Sequence, residues 1–118
     1  MTHPQLLENA YYELLHAERI DEFNHEHQQG RVPLDALRGG DFRGLVLKGL
    51  NVEGLDLGDA YFRGADLRGI DFSTCNLVGA SIAQAHIAGC YFPANIDAYE
   101  LRLSFDLGTR LRARLTDK

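Results

Sequence analysis

The feature that most constrains this chain is a period of five residues, which runs without insertion from residue 35 to residue 94. Divided into fives, the stretch reads DALRG, GDFRG, LVLKG, LNVEG, LDLGD, AYFRG, ADLRG, IDFST, CNLVG, ASIAQ, AHIAG, CYFPA. The third position of all twelve pentads is large and apolar: Leu37, Phe42, Leu47, Val52, Leu57, Phe62, Leu67, Phe72, Leu77, Ile82, Ile87 and Phe92. Helices repeat near 3.6 residues and strands at 2, so neither element alone explains the pattern.

The remaining positions of the pentad indicate how the chain turns. The first position is mostly small or aliphatic, the second is mostly polar, and the fifth is glycine in eight of the twelve pentads. In an extended segment the first and third side chains share one face, and the second points the opposite way. Glycine suits a turn residue with positive φ. The pattern predicts a chain that winds around an axis and pairs the backbones of adjacent coils, as in a β-solenoid.

These pentads resemble the pentapeptide-repeat family, whose pattern is A(D/N)LXX, and ADLRG at residues 65–69 matches it outright. The resemblance covers 60 of the 118 residues. It implies an all-β solenoid, a right-handed quadrilateral β-helix in which four pentads form one square coil and twelve form about three coils. The implied columns of central residues are Leu37/Leu57/Leu77, Phe42/Phe62/Ile82, Leu47/Leu67/Ile87 and Val52/Phe72/Phe92.

The flanking segments are expected to cap the two ends, because the terminal units of a repeat stack expose apolar surface and unpaired backbone. Residues 1–34 predict an N-terminal helical cap and linker, with Thr2 and Gln5 as a capping box. Ile20 and Phe23 extend the apolar stripe and leave open a second short helix. With the repeats at 35–94 and a C-terminal cap at 95–118, the chain is expected to form one structural domain.

The C-terminal cap is predicted to begin with a short helix. Asp97 and Glu100 match a capping box, and Gly108 is a suitable C-cap residue. Residues 109–115 then alternate basic and apolar side chains, which is compatible with a strand, a short amphipathic helix or a partner contact. We favour a helix that continues the cap.

Composition excludes several classes of function. The net charge is −5, distributed as −4 over residues 1–34, −2 over 35–94 and +1 over 95–118. The chain therefore lacks the net basic field of a general nucleic-acid binder. No apolar stretch reaches about 18 residues, so no membrane span is expected. Two cysteines and no visible signal peptide fit a cytoplasmic location.

No motif points to catalysis, since GxSxG, a P-loop and HExxH are all absent from the sequence. We expect no enzyme activity, cofactor, metal or small-molecule substrate. Cys75 and Cys90 occupy inward first positions and are predicted to pack in the core, with a metal pair or a redox switch as the alternative. The stretch 25–27, His-Glu-His, suggests metal binding as one alternative, but alternate residues of a helix face apart and no third ligand is obvious, so solvated helix surface is predicted.

A candidate partner surface follows from the outward fourth positions. The first two coils carry basic residues there, and the third carries Val78, Ala83 and Ala88. With twenty residues per coil, Arg43 would lie over Arg63 and Lys48 over Arg68, as a basic ridge that Asp41 and Asp66 partly neutralise. We favour a solubilising surface for this ridge, and docking of an acidic partner is the alternative. The complete candidate surface is Arg43, Lys48, Arg63, Arg68, Val78, Ala83, Ala88, Leu111 and Leu115.

Two functions remain open. The first is a non-catalytic protein-interaction module or scaffold with an unknown protein partner, which includes a homodimer formed through the C-terminal segment or the third coil. The second is implied by the resemblance alone, since some pentapeptide-repeat proteins mimic a DNA duplex, act on the topoisomerase DNA gyrase and give quinolone resistance. A repeat charge of only −2 and the basic ridge disfavour the second hypothesis.

Overall fold

A computed structural model describes residues 6–114 of the chain. Three α-helices flank the repeats in this part of the chain: α1 (Ala10–His16), α2 (Ile20–Gln28) and α3 (Ala98–Leu107). The second N-terminal helix that the apolar stripe left open is thus confirmed. Asn9, and not a residue further upstream, is the N-cap of α1, because its side chain accepts a hydrogen bond from the Tyr12 amide. The capping box predicted at Thr2 and Gln5 lies outside the described residues.

After every twenty residues, the backbone of the repeats lies beside the stretch that it formed twenty residues earlier. We call residues 35–54 coil 1, residues 55–74 coil 2 and residues 75–94 coil 3. Parallel β-bridges join second-position residues of adjacent coils: Asp41 to Tyr61, Val46 to Asp66, Asp56 to Asn76, Tyr61 to Ser81, Asp66 to His86 and Asp71 to Tyr91. Every bridged pair is separated by twenty residues, which is the spacing expected if four pentads complete one coil.

The expected all-β class needs correction for the described residues. Within residues 6–114 the bridges are isolated ones, and regular structure otherwise consists of the three helices. The reason is geometric. A turn occupies part of every pentad, so each extended stretch ends before a second consecutive bridge can form. The winding backbone is held by single bridges and turns, without continuous strands.

The fifth position turns the chain, as predicted. Its eight glycines all have positive φ, between 69° and 87°. The amide of the next residue closes the turn, as in the hydrogen bond of 3.0 Å from Ala65 N to Phe62 O. Two residues other than glycine adopt the same conformation, Asp59 at φ 59° and Gln84 at φ 55°. Gln84 is held there because its amide and its side chain both donate to the carbonyl of Phe105.

Gly64→Ala should lower the free energy of unfolding by about 1 kcal/mol, the cost of a left-handed conformation for a residue with a β-carbon. A methyl group at Gly64 would meet no other atom within 4 Å, so the cost arises from the backbone alone. Gly64→Asn is the matched control, because asparagine tolerates this region better than alanine. Urea unfolding checks both variants, and an asparagine variant less stable than the alanine variant would contradict this explanation.

The central residues form a continuous core. Leu47 and Leu67 are 0% exposed, and all the other central side chains of coils 1 and 2 are buried. Phe42 stacks on Phe62 with ring centroids 5.2 Å apart, and Phe72 stacks on Phe92 at 5.7 Å. In coil 3, however, Ile87 and Phe92 are only partly buried. The core is therefore less well covered at one end.

Both cysteines line the core, and each thiol donates a hydrogen bond to a carbonyl of the preceding coil. Cys75 Sγ lies 3.1 Å from Val52 O, and Cys90 Sγ lies 2.9 Å from Leu67 O. Cys75 is buried, which raises the pKa of its thiol to about 11. Cys90 is half-buried. Both are packing residues with little thiolate at neutral pH.

The N-terminal helices seal the first coil with side chains. Backbone groups at its lower edge, which have no preceding coil to pair with, bond instead to residues of α1, α2 and their connection. The hydrogen bonds join the side chains of Asn9 to Ala36 O, Tyr12 to Asp41 O, Glu18 to Val46 N, Asn24 to Gly49 O and Asn51 N, and His27 to Glu53 O. The assignment of His27 to solvated surface is therefore wrong, because its Nε2 atom lies 2.8 Å from the carbonyl it bonds.

The C-terminal cap covers only part of coil 3. Ser104 of α3 is 0% exposed, and its Oγ atom accepts a hydrogen bond of 3.0 Å from the Ile82 amide. Gly108 ends the helix at φ 74°, as predicted. The capping box is wrong, since Asp97 is the N-cap but makes no side-chain cap, and Glu100 bonds Arg112 instead. The favoured helix over 109–115 is also wrong for residues 109–114, which are not helical.

Candidate protein-interaction surfaces

The basic ridge is half neutralised by its own repeats. Arg43 forms two hydrogen bonds of 2.9 Å with the carboxylate of Asp41, and Arg68 forms bonds of 2.8 and 2.7 Å with Asp66. Each arginine lowers the pKa of its partner carboxyl below the usual value, chiefly through these side-chain hydrogen bonds. Because the second and fourth positions lie on the outside of the same pentad, the pairs form within one repeat.

The other two cations of the ridge have different surroundings. Within residues 6–114, Lys48 and Arg63 are exposed and have no ion-pair partner. The Nη1 atom of Arg63 lies 3.8 Å from the point that a β-carbon on Gly108 would occupy, beside the C-terminal end of α3. A cation stabilises that end of a helix. The guanidinium of Arg63 therefore lies near the negative end of the α3 dipole, a position that the spacing did not reveal.

Two members of the candidate surface are buried, and assigning them to it is wrong. Ala83 is 2% exposed and Leu111 is 1% exposed. Leu111 bonds the backbone of Gly79 and Ala80 at 2.8 Å, so the segment after α3 folds back onto coil 3. Val78, at 41% exposure, and Ala88 remain accessible. Leu115 lies outside the described residues.

The basic C-terminal segment is paired internally. Arg110 forms an ion pair of 2.9 Å with Asp59, which also accepts a bond of 3.0 Å from Arg38. Arg112 pairs with Glu100 and lowers the pKa of that carboxyl by hydrogen bonding. These contacts join residues far apart in sequence, and no local signal predicts them. The segment fastens the cap to the repeats and presents few free cations.

Coil 3 presents an open edge, which we define as residues 85–92. In coil 2 the amides of Leu67, Gly69 and Phe72 donate to carbonyls of coil 3 at 2.9, 3.0 and 2.8 Å. The equivalent amides of coil 3 belong to Ile87, Gly89 and Phe92. For these three, no residue between 6 and 114 supplies a hydrogen-bond acceptor.

The open edge is also apolar. Ile87 and Phe92 are partly exposed, whereas Phe72, one coil below Phe92, is 1% exposed. Tyr91 is 68% exposed on the outer side. The sequence contains one signal that could have predicted this uncovered edge, the short length of the C-terminal helix. Ten residues of helix extend about 15 Å, which is too short to cover a whole coil of twenty residues.

Metal binding and membrane insertion find no support in residues 6–114. No three histidine, cysteine, aspartate or glutamate side chains in that range converge as metal ligands. The helices found there are all too short or too polar to cross a bilayer.

Comparison with known proteins identifies the repeats. The family model described as Pentapeptide repeats matches residues 56–92 in eight copies. The matched range covers most of coils 2 and 3, and coil 1 shares their bridge spacing. No curated protein and no solved structure matches the chain significantly.

Proposed function

With pentapeptide repeats established over residues 56–92, we propose that this chain is a non-catalytic protein-interaction module whose partner binds the open edge of coil 3. Its coils wind, in this proposal, as a right-handed quadrilateral β-helix. The twenty-residue spacing of the parallel bridges supports that geometry. A rigid repeat stack presents side chains in fixed rows, which suits protein recognition.

The observation that carries the proposal is the row of amides at Ile87, Gly89 and Phe92, for which residues 6–114 provide no acceptor. An unpaired backbone edge is a template for another chain, and proteins normally cover such edges. A partner that adds an extended segment here would accept hydrogen bonds from the three amides and place apolar side chains over Ile87 and Phe92. A second copy of the chain, as the homodimer hypothesis requires, would use the same edge.

Two matched variants test the proposal. Tyr91→Lys places a charge within the open edge, and Val78→Lys places the same charge elsewhere on coil 3; both side chains are exposed, at 68% and 41%. Purified wild type and both variants serve as baits for affinity capture, with light scattering to record self-association. We expect the partner, or the dimer, to persist with Val78→Lys and to be lost with Tyr91→Lys.

Hydrogen exchange then locates the contact. In the purified complex, the amides of Ile87, Gly89 and Phe92 are expected to exchange more slowly than in the free protein. Identical capture by all three baits, or unchanged exchange of these amides in the complex, would rule out the open edge as the binding site.

A further inference from the structure

We propose that a groove between α1 and α2, on the outer side of the N-terminal cap, is a docking site for a basic amphipathic helix of a partner protein. The groove has a volume of about 410 Å³. It lies at the opposite end of the repeats from the open edge, and the proposal does not depend on that edge. Its apolar lining consists of Ala10, Tyr11, Leu14 and Ala17.

Helix α1 has apolar residues on two sides. Tyr12 and Leu15 are 2% and 0% exposed and pack into the core. Leu14, between them, is only half-buried and faces the groove, together with Ala10 and Ala17. Positions 10, 14 and 17 follow the helical spacing of four and three residues. Tyr11 and Leu14 use part of their surface to pack against the core, and the part that stays exposed lines the groove, where a partner can cover it.

The rim of the groove is mainly acidic. Glu13, Glu22 and Glu26 line the groove with a single cation, Arg19. Arg19 pairs with Glu22 at 2.5 Å, and Glu26 pairs with Arg31 at 3.0 Å.

Glu13 has no side-chain hydrogen bond or ion pair with any residue from 6 to 114. The whole segment 6–34 carries six acidic and two basic residues. Lysine and arginine side chains are the complement of this rim.

The shape of the groove favours a helix as the occupant. Two neighbouring helices leave a furrow that accepts the side-chain ridge of a third helix. Helix-in-groove recognition uses anchors at positions i, i+3, i+4 and i+7, which span about 10 Å. The apolar lining covers the same seven-residue step, from Ala10 of α1 to its C-cap residue Ala17. Apolar anchors would fill the floor while flanking basic residues reach the glutamates.

Binding of a defined peptide to the full chain tests the proposal. The probe is a fluorescein-labelled helical peptide with leucine at the four anchor positions and lysine elsewhere, and its counterpart carries glutamate in place of lysine. We expect saturable one-to-one binding of the lysine peptide alone. Glu13→Lys should weaken it by roughly fivefold or more, because one attraction becomes a repulsion.

Glu8→Lys is the matched control, since it makes the same change of charge at an exposed position that does not line the groove. It should change the affinity by less than about twofold, because exposed charges outside the contact are screened. Ala17→Arg is a second groove variant at an exposed position and should also weaken binding. Tyr91→Lys, at the open edge, should leave the peptide affinity unchanged, which separates this site from the proposed function.

Three results would overturn the proposal. Equal weakening by Glu13→Lys and Glu8→Lys would mean diffuse attraction without a site. Comparable binding of the glutamate peptide would remove the charge argument. A dimer of the wild-type chain that Glu13→Lys dissociates would show that a second copy occupies the groove.

Discussion

Phe72→Ala is expected to lower the free energy of unfolding by about 3–5 kcal/mol, the usual cost of removing a fully buried aromatic ring. Phe72 is 1% exposed and lies in the middle coil. Its ring is stacked 5.7 Å from Phe92 and lies 6.2 Å from Phe62. The coils above and below it cannot collapse into the cavity, because turns and bridges fix their spacing. Against a typical total of about 5–15 kcal/mol, this loss removes much of the stability.

Phe92→Ala is the natural comparison, because it removes the same ring from the end of the same column. Phe92 is only partly buried, so less contact and less hydrophobic surface are lost. Urea unfolding followed by circular dichroism measures both variants. Equal losses at the two positions would show that coil 3 is covered by something the described residues do not include.

Phe23→Ala should cost a similar amount, about 3–5 kcal/mol, for a different reason. Phe23 is 0% exposed and anchors α2 to coil 1. The neighbouring side chains of Asn24 and His27 bond Gly49 O and Glu53 O, so loosening α2 also uncovers the lower edge of the repeats. The variant should therefore aggregate as well as unfold more easily, since an exposed backbone edge recruits other chains.

The exposed residue His25 on the same helix provides the control. His25→Ala removes a side chain without a core contact and is expected to change the free energy of unfolding by less than about 0.5 kcal/mol. Chemical unfolding gives the stability, and light scattering at micromolar concentration reports aggregation. A Phe23→Ala protein that unfolds earlier but remains monodisperse would refute the edge-protection role of α2.

Much of the repeat architecture could be predicted because the information is local and periodic. The period of five fixed the inward column, the outward polar row and the positive φ of the glycines. The caps were harder. That Asn24 satisfies Gly49 O and Asn51 N depends on the angle at which α2 crosses coil 1, and no spacing in the sequence encodes that angle. The same limit explains the wrong assignment of Leu111. Its alternation with arginines suggested an exposed side chain, but the segment folds back onto coil 3 and buries it.

The candidate surfaces also differ in how far the sequence predicts them. The pairing of Arg43 with Asp41 could be anticipated, because both residues belong to one pentad. The open edge and the groove between α1 and α2 arise from where the caps stop and how they pack, which are properties of the tertiary structure. The charge asymmetry of residues 1–34 was visible from composition, but its association with an apolar groove was not.

The spacing of the bridges also determines which changes of length the repeats can accept. Every bridged pair joins a residue to the one twenty positions later. Deleting one residue in coil 2 would shift the following residues by one position. Side chains that point inward would then point outward in that pentad, and outward ones would point inward. Inserting five residues between two stacked phenylalanines, such as Phe72 and Phe92, would keep that alternation but move the second ring out of its column. Within the stacked coils, only gain or loss of twenty residues preserves both the alternation and the columns, so internal changes of length should come in multiples of twenty.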